Sequence, residues 1–185
     1  MPLPSGQMTP TYSVRGVPFA RETVFRTSAD GLYVGSGGAY EILRYDAAGA
    51  LSQIIRVRRD PVRVTRAMIA QHRKEPRRTP TYFGLRMDSD PKIDASWYPK
   101  TLPAHAAFRV DDAERLWVQD YPIPGELQRR WSVFDRDGAL LGIVSTPSAI
   151  DVLEVGRTYL LGTWWDELEV EYLRMYPLLG GSSSQ

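Results

Sequence analysis

Short runs of Val, Ile, Leu, Tyr and Trp alternate with Gly, Asp and Pro over most of the chain, the pattern of half-buried strands separated by turns. The runs predict strands at 24–28, 32–35, 40–45 and 51–57, then at 106–110, 116–119, 130–134 and 140–144. A third group falls at 150–155, 158–164 and 170–176, with no fourth strand before the Gly/Ser tail at 180–185. Several runs are apolar at every position, as in Leu140-Leu141-Gly142-Ile143-Val144. A strand of that kind is covered on both faces by neighbouring sheets.

The groups repeat one another. Leu32-Tyr33-Val34 returns as Leu116-Trp117-Val118, and Tyr45-Asp46-Ala47-Ala48-Gly49 returns as Phe134-Asp135-Arg136-Asp137-Gly138. The third copy contributes Tyr159-Leu160-Leu161 and Tyr172-Leu173-Arg174-Met175-Tyr176. Tyr45 and Phe134 lie 89 residues apart, and Phe134 and Tyr176 lie 42 apart. One period is therefore about 42 residues, with a large insertion between the first two copies. In the Asp-x-x-Gly turns the carboxylate accepts backbone N–H groups and the glycine takes a positive φ. Such loops also bind hard cations in some proteins, a secondary reading here.

Four-stranded units of this length with an aromatic and glycine signature mark a β-propeller. The order Leu-Tyr/Trp-Val, then aromatic-Asp-x-x-Gly, resembles NHL-like six-bladed propellers. It looks most like the C-terminal half of bacterial proteins described as six-bladed β-propellers, over about residues 17–179. The insertion leading to Pro103-Ala104-His105-Ala106-Ala107-Phe108-Arg109-Val110-Asp111 is part of the likeness. The resemblance implies an all-β, partial β-propeller of about three four-stranded antiparallel blades, the last incomplete, with a short helical insertion. Its parts would be an N-terminal segment or remnant of a preceding blade (1–16), a blade (17–59), the insertion (60–102), a blade (103–147), an incomplete blade (148–179) and a flexible tail (180–185). Family rings close, so a chain of under three blades reads as a fragment that self-associates through open blade edges. Full-length relatives of this type are often extracytoplasmic.

Within the insertion, Thr65 is placed to cap a helix from Arg66 to about Glu75, with Met68, Ile69 and His72 on one side. If strands alternate in direction, the insertion shares a face with the loops at 35–39 and 120–126. Loops carried by a rigid scaffold concentrate function, so that face is the expected binding surface. The insertion capping the ring is the alternative.

Charge and composition narrow the chemistry. With 23 Lys plus Arg against 22 Asp plus Glu, a net charge of +1 gives no global pull toward nucleic acid or an anionic membrane. No apolar run reaches the roughly 18 residues of a membrane span, and 1–16 lacks the apolar stretch of a signal peptide. Cysteine is absent, which excludes disulfides, thiolate metal sites and cysteine nucleophiles. Two histidines cannot build a three-histidine zinc site. The window 56–78 holds nine Arg or Lys against Asp60 and Glu75. It is read as a solvated segment whose arginines pair with acids elsewhere, the cluster Asp166, Glu167, Glu169 and Glu171 included, in preference to a phosphate-binding patch flanked by Tyr82 and Trp97. Gly35-Ser36-Gly37-Gly38 lacks the Lys-Ser/Thr of a phosphate loop and reads as a hairpin. Asp88, Asp90 and Asp94 lack the spacing of a calcium loop.

Candidate ligand-binding residues are His105, Arg109, Asp111, Arg26 and Tyr121; no catalytic residue, metal ligand or cofactor is assigned. For His105 a buried or channel-lining structural role is preferred to proton transfer with Arg109 and Asp111, and the strand tryptophans are expected to pack between blades. Three functions follow: a noncatalytic module binding a protein or small ligand, part of a calcium-dependent lactonase or sugar-lactone hydrolase, or an incomplete product without independent function. The second resembles enzymes whose metal ligands include Asn, of which this chain has none.

Overall fold

The computed structural model describes residues 17–74, 94–166, 168 and 170–178, with the backbone alone of 81–82 and 85–86. The chain is all-β, organised as three antiparallel sheets in which every strand pairs with its neighbour in sequence. The first sheet comprises β1 (Val24–Ser28), β2 (Gly31–Gly35), β3 (Glu41–Asp46) and β4 (Leu51–Arg56). Helix α1 (Arg66–Lys74), a two-stranded pair β5 (Thr81–Tyr82) and β6 (Leu85–Arg86), and a 3₁₀ turn (Ala95–Trp97) lie in the insertion. The second sheet holds β7 (His105–Val110), β8 (Leu116–Asp120), β9 (Gln128–Phe134) and β10 (Leu140–Pro147). The third holds β11 (Ile150–Val155), β12 (Tyr159–Trp165) and β13 (Glu171–Pro177).

The strands expected from the hydrophobic runs are present, mostly with ends shifted by one to three residues. One shift matters: His105 opens β7 instead of preceding it. The turns form by the expected chemistry. Asp46 Oδ1 accepts the N–H groups of Ala48 and Ala50, both at 2.9 Å, and Asp135 Oδ1 accepts those of Asp137 and Ala139. Gly49 and Gly138 close these turns at φ 81° and 80°, a region open to glycine at no steric cost.

Two apolar layers hold the sheets together. Tyr33, Ile42 and Ile55 of the first sheet meet Phe108, Leu116, Val118 and Phe134 of the second. Trp117, Trp131 and Val133 on the opposite face of the second sheet meet Ile150, Val152 and Leu160 of the third. The inner strands of the second sheet are thus covered on both faces, which explains why Leu116–Gln119 and Trp131–Phe134 are buried without alternation; the run Leu140–Val144, expected to be covered in the same way, is not, because β10 is the edge strand and leaves Leu140, Leu141 and Ile143 about half exposed. β1 lies beside β7 and β7 beside β11, so the first strands form a row and the later strands of each sheet lead away from it. Among the described residues no helix is long and apolar enough to cross a membrane.

Candidate functional site

At one end of the sheets the β2–β3 loop, the insertion and the loop after β8 come together. The Ala104 N–H donates to the Gly37 carbonyl at 2.9 Å, and the Gly37 N–H donates to His105 Nε2 at 3.3 Å. A Cβ at Gly35 would fall 2.6 Å from His105 Nε2 and 2.8 Å from the Phe108 ring. The glycine run therefore admits His105 between the sheets, and reads as the hairpin expected of it. Arg59 fastens the start of the insertion to the second sheet: its Nη1 meets Asp120 Oδ1 at 2.7 Å and its Nη2 donates to Ser132 Oγ at 2.9 Å. The same guanidinium lies over the Tyr40 ring, 4.6 Å from its centre.

Helix α1 starts where Thr65 Oγ1 accepts the Met68 N–H. Its Met68 and Ile69 pack against a third core of Phe19, Tyr98 and Leu102, joined by Tyr121 and Ile123. Phe19 is the hub, with ring centres 4.8 Å from His72, 5.3 Å from Tyr98 and 6.1 Å from Tyr121. Its φ of 52° lies in the left-handed region, a conformation that costs a non-glycine residue roughly 1–2 kcal/mol. Burial of the ring, 4% exposed, offsets that strain.

Beside this core lies a cleft of about 810 Å³, within the range of small-molecule sites. Its apolar wall includes Val17, Phe19, Val24, Ile123 and Leu127; its polar groups include Glu22, Gln71, His105, Tyr121 and Glu126. The segment Tyr121–Ile123 divides it from a second cleft of about 480 Å³, which is lined by Tyr40, Arg59, Asp120 and Arg130.

His105 is 2% exposed and lines the larger cleft. Because Nε2 accepts from Gly37, the neutral ring carries its proton on Nδ1, and that buried nitrogen has no hydrogen-bond partner among the described residues. Burial pushes the imidazole pKa down to about 4. Since the unfolded ring titrates near 6.5, acidification from pH 6.5 protonates the unfolded chain first and removes stability until pH falls through about 4. The expected loss reaches about 3 kcal/mol over that window. Urea unfolding of the wild type and His105→Phe across pH 4–7 checks this, and parallel profiles would refute it.

The remaining candidates do not join His105 and Tyr121. Arg109 reaches across to the third sheet, where Nε and Nη2 donate to the Val152 carbonyl at 3.0 and 2.6 Å. Burial, with the like charge of Arg26 second, lowers its pKa. Arg26 is exposed on β1, opposite Tyr33 in the ladder. Asp111 is buried at the β7–β8 turn, with four hydrogen bonds: Ala113 N–H and Arg115 N–H to Oδ1, Arg115 Nε and Trp117 Nε1 to Oδ2. It repeats the turn chemistry of Asp46 and Asp135, a likeness its position at the head of Asp111-Asp112-Ala113-Glu114 could have revealed. Phe19 carried no sequence signal as a site residue and Arg59 only that of the basic window, because their partners are distant along the chain.

The basic window disperses. Arg56 pairs with Glu41 and Arg59 with Asp120, while Arg73 lies over Tyr98; Arg77 and Arg78 fall outside the described residues. Pairing thus occurs, with acids other than the expected cluster. Asp166 of that cluster instead accepts from Leu168 N–H, Val170 N–H and Tyr172 OH; Glu167 and Glu169 fall outside the described residues. Asp94 caps the 3₁₀ turn by accepting the Ser96 N–H at 2.7 Å; Asp88 and Asp90 fall outside the described residues. Among the described residues no three His, Asp or Glu side chains converge as metal ligands would.

No protein-family model matches the chain, and no curated protein matches it.

Proposed function

We propose that this protein is a noncatalytic binding module built from blades of a β-propeller, taking a small neutral molecule in the cleft beside His105 and Tyr121. The row of β1, β7 and β11, with the later strands leading away from it, supports the blade reading, since radial sheets place their first strands nearest the axis. The observation that carries the ligand reading is His105, which lines a cleft of ligand size and keeps a buried Nδ1–H without an acceptor among the described residues. An unmatched buried donor costs about 1–3 kcal/mol, which a carbonyl, ether or hydroxyl oxygen of a ligand would recover. The apolar wall around Phe19 and Ile123 suits the body of such a molecule, and a neutral ring selects against none of these uncharged acceptors.

A thermal-shift screen of neutral sugars and lactones, with and without calcium, tests the proposal. A ligand present at about 100 times its Kd adds about 2.7 kcal/mol of apparent stability, or a Tm rise of roughly 5–10 °C for a chain of this length. His105→Phe, close in shape and without the donor, should abolish the shift. An undiminished shift in that variant, or hydrolysis of a bound lactone, overturns the reading.

A further inference from the structure

We infer that two copies of this chain close on each other, the outward face of the first sheet of one against the outward face of the third sheet of the other. The inference rests on the blade arrangement proposed above but not on the ligand.

The ladders place the three sheets in one register. Leu32 pairs with Tyr45, Leu116 with Phe134 and Leu160 with Tyr176, so these pairs are equivalent positions of the repeat. From them, Phe25, opposite Val34, corresponds to Phe108, opposite Val118. In the third strands, Ile42, Trp131 and Leu173 correspond.

Equivalent positions have opposite fates at the two ends of the row. Phe108 is 1% exposed beneath the first sheet, whereas Phe25 is 68% exposed. Ile42 and Trp131 are 0% and 1% exposed, each packed on the following sheet, whereas Leu173 is 63% exposed. The face carrying Phe25, Leu51 and Ile54 is thus the counterpart of the second sheet's face toward the first. The face carrying Leu173 and Met175 is the counterpart of the faces that Ile42 and Trp131 bury. Together the two free faces are the halves of an interface that the chain already makes twice within itself.

Exposed apolar faces such as these mark association. A contact between unlike faces either closes into a ring or grows without end. Propellers have about four to eight blades, and two copies of three sheets give six, within that range. The occupant we assign to each free face is the opposite face of a second copy, its counterpart in the interfaces already formed within the chain.

Sedimentation of the full chain at micromolar concentration should give a single species of twice 20.9 kDa. Phe25→Glu and Leu173→Glu, both at exposed positions, should each yield folded monomers, because each variant spoils both junctions of its own dimer. Mixing the two should restore a dimer, since one of its two junctions is then wild type in both halves. A wild-type monomer, open chains longer than two, or a dimer that Leu173→Glu leaves intact overturns the inference. A monomer leaves the ligand reading standing, since the cleft lies within one chain, whereas open chains count against radial closure itself.

Discussion

Asp111→Ala should lower the unfolding free energy by about 4 kcal/mol and Tm by roughly 8–16 °C, although it removes only a few atoms from a turn. The side chain is fully buried in its pair with Arg115. Without it, the Trp117 indole N–H, two backbone N–H groups and the Arg115 guanidinium each lose an acceptor. Trp117 is 3% exposed, so water cannot replace the lost bond without opening the layer between the second and third sheets. Asp135→Ala provides the comparison. Its carboxylate caps the same kind of turn in solvent, and its loss should cost about 1 kcal/mol, as for an exposed capping residue. Equilibrium urea unfolding of both variants gives the answer. Equal losses would mean that burial of Asp111 adds nothing to the turn.

Trp131→Ala should cost a similar amount, about 3–5 kcal/mol, by a different route. Trp131 is 1% exposed at the centre of the layer between the second and third sheets, and its Nε1 donates to Thr146 Oγ1 at 3.3 Å. Truncation leaves a void and a buried hydroxyl without its donor. Because Trp131 packs toward the third sheet, that sheet should loosen first. Hydrogen exchange should therefore show faster opening of β11–β13 while β1–β4 retain their protection. Uniform acceleration in all three sheets would indicate instead that the two apolar layers form one cooperative unit.

Much of the fold was readable from local patterns. Runs of apolar residues about six long define strands, and Asp46 and Asp135 with their glycines define turns, because each of these signals acts between residues a few positions apart. The repeat of Leu32-Tyr33-Val34 in Leu116-Trp117-Val118 marks equivalent positions, and the structure treats them alike: Tyr33 packs on the second sheet and Trp117 on the third. The helix was legible from Thr65 and the Met68/Ile69 side for the same reason.

The site was only partly legible. His105 and Tyr121 emerged as candidates and line one cleft, whereas Arg109 and Asp111 look equally polar in the sequence and are occupied by β11 and by the β7–β8 turn. Residue type suggests what a group can do; its neighbours decide whether it is available. Those neighbours are remote: Gly37 and His105 are 68 residues apart, and Arg59 and Asp120 are 61 apart. No pattern read over a window of ten residues reports such meetings.

The amino-acid order thus settles the strands, their turns, the approximate period and the absence of thiol chemistry, all properties of near neighbours or of composition. Tertiary structure alone decides that His105 is a buried neutral donor at a cleft, that Asp111 is a fully bonded turn residue, and that Phe25 and Leu173 stand exposed where Phe108 and Trp131 are covered. The physical reason is common to all three. Burial and hydrogen-bond satisfaction depend on which sheet arrives from elsewhere in the chain, and equivalent side chains in successive repeats differ only in whether one does.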